Sequence, residues 1–165
     1  MDIDHKRIEN EALKVLEAYN VTKPVVDVRK IAKGAGYEIK EINMPDGYEN
    51  VAGFHDEQKK TIYIAANDSP YRKLFTIAHE LGHIFLGHPN YSVLFRITKK
   101  DGEYGKEEQE ANSFAAHLLM PSFMVTTYLD KYNLSRSDYK IMADIFGVPM
   151  SSMQHTLEWL EEEYV

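Results

Sequence analysis

A chain of 165 residues, 44% of them hydrophobic, can bury a core of its own without disulfide staples, and the absence of cysteine excludes thiolate metal sites and cysteine nucleophiles. The formal net charge of −7 argues against direct nucleic-acid binding through a broad basic face. The charged start Met1-Asp2-Ile3-Asp4-His5-Lys6 has no apolar stretch behind it, and no apolar run approaches the roughly 18–20 residues of a membrane span, so the expectation is a cytoplasmic protein without a membrane partner.

In chain order, Ile8, Ala12, Val15, Leu16 and Tyr19 recur at helical spacing and predict an amphipathic helix from about Ile3 to Tyr19. Thr22-Lys23-Pro24 opens a shorter helix through Val28, Ile31 and Ala32, stopped by Gly34 and Gly36. Residues 37–42 alternate apolar and charged as a half-buried strand does, and Pro45-Asp46-Gly47 marks a turn. Val51–His55 and Thr61–Ala65 read as two further strands around a polar hairpin loop at 56–60. Three strands with short connections favour an antiparallel sheet.

Ser69-Pro70 then opens a helix that carries Leu74, Ile77, Ala78, Leu81 and Phe85 at helical spacing and closes at Gly87 and Pro89. Inside it stands His79-Glu80-Leu81-Gly82-His83, an H-E-x-x-H pattern. Residues four apart share a helix face, so both imidazoles can reach one Zn²⁺, and Glu80 beside them can take a proton from water that the ion acidifies. Residues 89–105 read as a loop. A helix returns from Lys106 to Met120, ending at Pro121, and helices at about 122–131, 135–145 and 149–163 follow, the last amphipathic through Met153, Leu157 and Leu160.

A catalytic zinc site needs a third protein ligand. His88 does not supply it by pattern. In the extended H-E-x-x-H motif glycine and histidine fall three and six residues after the second histidine, whereas Gly87 and His88 fall four and five after it. His88 therefore reads as a helix-end or loop residue. Among the carboxylates of the later helix, Ala111, Phe114, Ala115, Leu118 and Leu119 define a core-facing stripe, and Glu108 shares it. Glu107 and Glu110 read as a solvated acidic first turn. Glu108 is thus the third candidate ligand, and Asn112, one turn on, the candidate to orient a ligand from behind. His55, Tyr63 and His88 are candidates to lie nearby, each expected to be structural.

The stretch Phe75–His83, followed by Glu108–Ala116 with Leu118-Leu119-Met120-Pro121, resembles the ImmA/IrrE family of metallopeptidases. In related gluzincin-type enzymes the third ligand begins a Glu-x-x-x-Asp/Asn pattern, which here runs from Glu108 to Asn112. Two positions depart from the family's usual residues: His117, and Thr156 where arginine is common. The resemblance implies a cytoplasmic zinc endopeptidase that cleaves a helix-turn-helix repressor of a phage, mobile element or stress regulon. Its metal ligands would be His79, His83 and Glu108, its general base Glu80. The alternative is a regulatory zinc protein that binds a repressor without cutting it.

The expected fold is α+β, a small antiparallel three-stranded sheet packed against the active-site helix and surrounded by helices. A single domain is expected over 1–165, with N-terminal helices and sheet in 1–68, active-site helices in 69–121 and a helical part in 122–165.

Overall fold

The computed structural model describes residues 2–90 and 105–164. Among them the chain forms seven α-helices, a 3₁₀ turn and one three-stranded sheet, an α+β arrangement. The loop expected at 89–105 lies, apart from its ends, outside the described residues.

Helix α1 (His5–Ala18) starts where the Asp4 carboxylate accepts the Arg7 amide at 3.0 Å, and it buries Ile8, Ala12, Val15 and Leu16. Helix α2 (Val28–Gly34) starts later than the Pro24 turn predicts. Asp27 is the residue whose side chain captures the Lys30 amide, at 3.0 Å, and so fixes the first turn.

The sheet is mixed, not antiparallel. Its order is β1 (Glu38–Ile42), β3 (Thr61–Ala65), β2 (Gly53–Asp56), with β1 parallel and β2 antiparallel to β3. The physical reason is the connection at 43–52, too long for a tight hairpin, which carries the chain past the place of β3. The short turn at 57–60 then returns β3 between the other two. That turn is held by Asp56 Oδ1, which accepts the amides of Gln58 and Lys59. Ile62 and Ile64, on the face of the central strand turned toward the core, are fully buried, whereas Tyr63 on the opposite face is half-buried. Gly53 lets β2 lie close to the next helix: a Cβ there would stand 2.5 Å from Thr76 Cγ2.

Helix α3 (Pro70–Phe85) begins as predicted, with Ser69 accepting the Arg72 amide and Pro70 at the first position. It packs against helix α4 (Gly105–Leu119), which buries the expected stripe Ala111, Phe114, Ala115, Leu118 and Leu119. Gly82 permits the close approach, since a Cβ on it would lie 3.0 Å from Ala111 Cα and its carbonyl oxygen.

Helices α5 (Ser122–Lys131), α6 (Tyr139–Phe146) and α7 (Met150–Tyr164) follow near the predicted places, with a 3₁₀ turn at Arg136–Asp138 leading into α6. Met153, Leu157 and Leu160 of α7 are buried as the periodicity predicts. One hydrophobic cluster joins the parts, from Ile8 and Leu16 through Ile62, Ile77 and Phe114 to Phe146 and Met153. Among the described residues no helix is long and apolar enough to cross a membrane.

Candidate metal centre

The seam between α3 and α4 brings His79, His83 and Glu108 together. His79 Nε2 lies 2.9 Å from Glu108 Oε2, His83 Nε2 lies 3.1 Å from Glu108 Oε1, and the two Nε2 atoms are 3.1 Å apart. A tetrahedral zinc with bonds of about 2.0–2.1 Å separates neighbouring donors by about 3.3–3.4 Å. The three side chains therefore form one near-ready face of such a shell. Two imidazole nitrogens and one carboxylate suit zinc better than magnesium or calcium, which take oxygen donors.

The surrounding hydrogen bonds fix which nitrogen of each ring carries the proton. Asn112 Oδ1 can only accept, so His79 Nδ1 donates to it, at 2.8 Å, and Nε2 keeps its lone pair. For His83 the chain of donors is read from its far end. Glu110 Oε2 accepts from His88 Nε2 at 2.7 Å, which makes His88 Nδ1 the acceptor for His83 Nδ1–H at 2.9 Å. His83 Nε2 is again the lone-pair nitrogen. Arg7 of α1 closes the chain, its Nη2 donating to Glu110 Oε1 at 3.3 Å. Burial pushes the His83 pKa below the usual imidazole value and so favours the neutral form that binds metal.

Two expectations change here. Glu110 is not solvated: it is buried and holds His88. A carboxylate that phase places off the α3-facing stripe is still covered, because α1 packs on another side of α4 and brings Arg7 to it. His88 is a helix-end residue, as expected, but it also orients His83. The end of α3 shows why. The Gly87 amide donates to the Ile84 carbonyl and the His88 amide to the His83 carbonyl, with Gly87 at φ +71°, a Schellman motif. That motif returns the residue after the glycine to the one five before it. The glycine at 87 with histidines at 83 and 88 is a sequence signal that could have revealed the contact.

Glu80 is 1% exposed and faces the sheet, not solvent. Its Oε2 lies 2.7 Å from His55 Nδ1 of β2. Asn90 Nδ2 donates to His55 Nε2 and to the His55 carbonyl, both at 3.1 Å, so the His55 proton sits on Nδ1 and is given to Glu80. His55 pairs across the sheet with Ile62, on the face toward α3. Tyr63 pairs with Phe54 on the opposite face and stacks on it with centroids 4.7 Å apart, which removes it from the site. Of the three nearby candidates, the structure brings in His55 and His88 but not Tyr63.

An H-E-x-x-H helix lying under a small sheet and against a second helix that supplies a glutamate has the layout of a metallopeptidase. Comparison with known proteins agrees on the class. Residues 32–158 match the Peptidase_M78 family, described as the IrrE N-terminal-like domain, and the chain belongs to that family of peptidases. It is similar to an uncharacterized immunity region protein 2 of Bacillus phage phi105, at 35% identity over 83 residues, 49% of this chain and 52% of that one. The chain thus spans about half the length of the curated relative it matches. Among solved structures it resembles a Mycobacterium tuberculosis transcriptional regulator with a TM-score of 0.69 at 16% identity, over 90% of this chain and 45% of the other. That likeness concerns the fold.

Proposed function

We propose that this chain is a zinc-dependent endopeptidase acting on a helix-turn-helix transcriptional repressor of a phage, mobile element or stress regulon. The observation that carries the enzymatic part is the His79, His83 and Glu108 donor triangle, with Glu80 between the two histidines on the same helix and near enough to His83 to act on it electrostatically. His79, His83 and Glu108 would hold the ion. Zinc in that place supplies Lewis-acid polarisation of a peptide carbonyl and acidifies water. Glu80 takes the proton of the attacking water and returns it to the leaving amine, while His55 donates to Oε2 and keeps the carboxylate oriented. His55 is a positioning residue in this scheme, and Asn112 and His88 position the ligands in the same sense.

Support for a repressor substrate comes from the family resemblance and from the immunity-region relative of a phage. The test is Glu80→Gln, which keeps the side chain's size and both histidines. General-base assistance is worth about 10²–10⁴ in rate. With a repressor encoded beside this chain's gene as substrate, the zinc-loaded variant should bind it and lose cleavage by that factor. Wild-type cleavage by the zinc-loaded variant removes Glu80 from the scheme. Binding without cleavage by the wild-type protein would favour the regulatory, non-cutting reading instead.

A further inference from the structure

The chain that follows α3 serves the site twice. His88 holds His83, and Asn90, two residues on, reaches across to β2. Pro89 between them fixes its own φ and disfavours a helical turn at His88, so the path from one side chain to the other is stiff. The Asn90 carboxamide makes three contacts on β2 and the turn after it. Its Oδ1 accepts the Glu57 amide at 3.0 Å, and its Nδ2 donates to the His55 carbonyl and to His55 Nε2, both at 3.1 Å. A backbone amide can only donate and a carbonyl can only accept. Those two contacts decide which end of the carboxamide is oxygen, and they do so without reference to the His55 ring. Strand β2 is an edge of the sheet, and Asn90 binds that edge as a residue of a parallel neighbouring strand would, to one carbonyl and to the N–H two residues on.

The ring has one choice left. A hydrogen of Asn90 Nδ2 points at His55 Nε2, so a proton on Nε2 would face another proton. Water in that place could turn and accept, but the anchored carboxamide cannot. His55 then carries its proton on Nδ1 and donates it to Glu80 Oε2 at 2.7 Å, in a pair that is almost wholly buried. We propose that Asn90 is a positioning residue for the general base: it bars a proton from His55 Nε2 and so presents Glu80 with a neutral hydrogen-bond donor. This rests on the zinc-peptidase reading above. A neutral donor orients the carboxylate, whereas an imidazolium in the same place would stabilise its charge and weaken it as a base. Asn90 itself is exposed, which suits a residue that acts through the direction of its hydrogen bonds and not through packing.

Long-range nitrogen–proton correlation spectra of zinc-loaded protein carrying isotope-labelled histidine read the ring directly, and His55→Gln identifies the signal by its loss. In the wild type at neutral pH, Nδ1 should be protonated and Nε2 bare; a protonated Nε2 overturns the proposal. Asn90→Asp keeps the shape and removes the donor. Both neighbours of the ring are then acceptors, and Nε2 should gain a proton. Asn90→Ala, which admits water and adds no charge, should move Nε2 the same way in part. Circular dichroism and zinc content check that both variants fold and load. With the repressor encoded beside this chain's gene as substrate, Asn90→Asp should lower kcat about 10-fold at unchanged KM, the lower end of what residues behind a site cost. Full kcat despite a protonated Nε2 overturns the role. Wild-type cleavage with an unmoved Nε2 in both variants overturns the role of Asn90 alone. No cleavage by the zinc-loaded wild type overturns the peptidase reading and the role with it.

Discussion

His79 and His83 stand one turn apart on the same face of α3, yet what holds them differs. Among the described residues, His79 Nδ1 is held by Asn112, which is exposed on the neighbouring helix. His83 leans on a chain of three, His88, Glu110 and Arg7, drawn from the end of α3, from α4 and from α1. The first support is local to the helix pair. The second ties a candidate ligand to a helix distant in sequence, so the orientation of His83 depends on the packing of α1 as well as on the seam. Water can replace an exposed amide oxygen at little cost, whereas a buried donor that loses its acceptor keeps the full desolvation penalty.

The largest expected effect strikes both histidines at once. Glu108 touches each Nε2 through a different carboxylate oxygen. Glu108→Ala should therefore lower zinc affinity by well over the roughly 10- to 100-fold typical of residues behind the ligands. Competition against a chromogenic chelator measures it, and near-wild-type affinity would remove Glu108 from the ligand set.

The next perturbation also ignores the difference between the two ends. Gly82→Ala would put a methyl group 3.0 Å from the Ala111 backbone and 3.2 Å from Phe114 Cβ, so α3 and α4 must part. Overpacking of this kind costs about 1–3 kcal/mol of stability. For a chain of this size each kcal/mol corresponds to a drop of about 2–4 °C in melting temperature. Zinc affinity should fall with it. A variant that melts like the wild type would show that the seam has slack.

The comparison itself is tested by His88→Ala against Asn112→Ala. Both lie behind a candidate ligand, and changes there cost about 10- to 100-fold in metal affinity. His88→Ala should fall near the upper end, because it takes the His88 ring from both the His83 Nδ1–H and Glu110 Oε2 in a buried place. Asn112→Ala should fall near the lower end. Equal losses would mean that the longer support adds nothing.

The same two supports show what sequence can and cannot reveal. The placement of Glu108 and Asn112 beside the histidines is legible because one helix face and one partner helix decide it, and a periodicity of 3.6 locates that face. Phase alone leaves Glu110 in solvent, where the structure buries it. Phase identifies the side turned to α3, but α4 also meets α1, so a second side is buried as well. The sheet repeats the lesson. Composition marks residues 61–65 as a strand, yet alternation tells which face is buried and not which strand lies alongside, so the parallel pairing of β1 with β3 is not readable. The pairing of His55 with Glu80 depends on that sheet, with β2 lying over α3, and so it had no local signature.

The smallest expected effect lies at the end of the longer support and decides how far it extends. Arg7 is 47% exposed in its side chain, and its contact with Glu110 is a single one at 3.3 Å. An ion pair with one partner in solvent is worth little and is screened further by salt. Arg7→Met keeps the length that packs along α1 and removes only the charge. Zinc affinity should fall by no more than a few-fold at low ionic strength, and the loss should shrink when salt is raised. Glu110 keeps His88 as its donor in that variant, so the His83 ring should stay where it is. A loss as large as that of His88→Ala, and insensitive to salt, would mean that Arg7 holds the Glu110 carboxylate in place rather than merely pairing with it. The support of His83 would then run from the metal centre to α1, and its contrast with the local contact of His79 Nδ1 to Asn112 would be larger than the distances alone suggest.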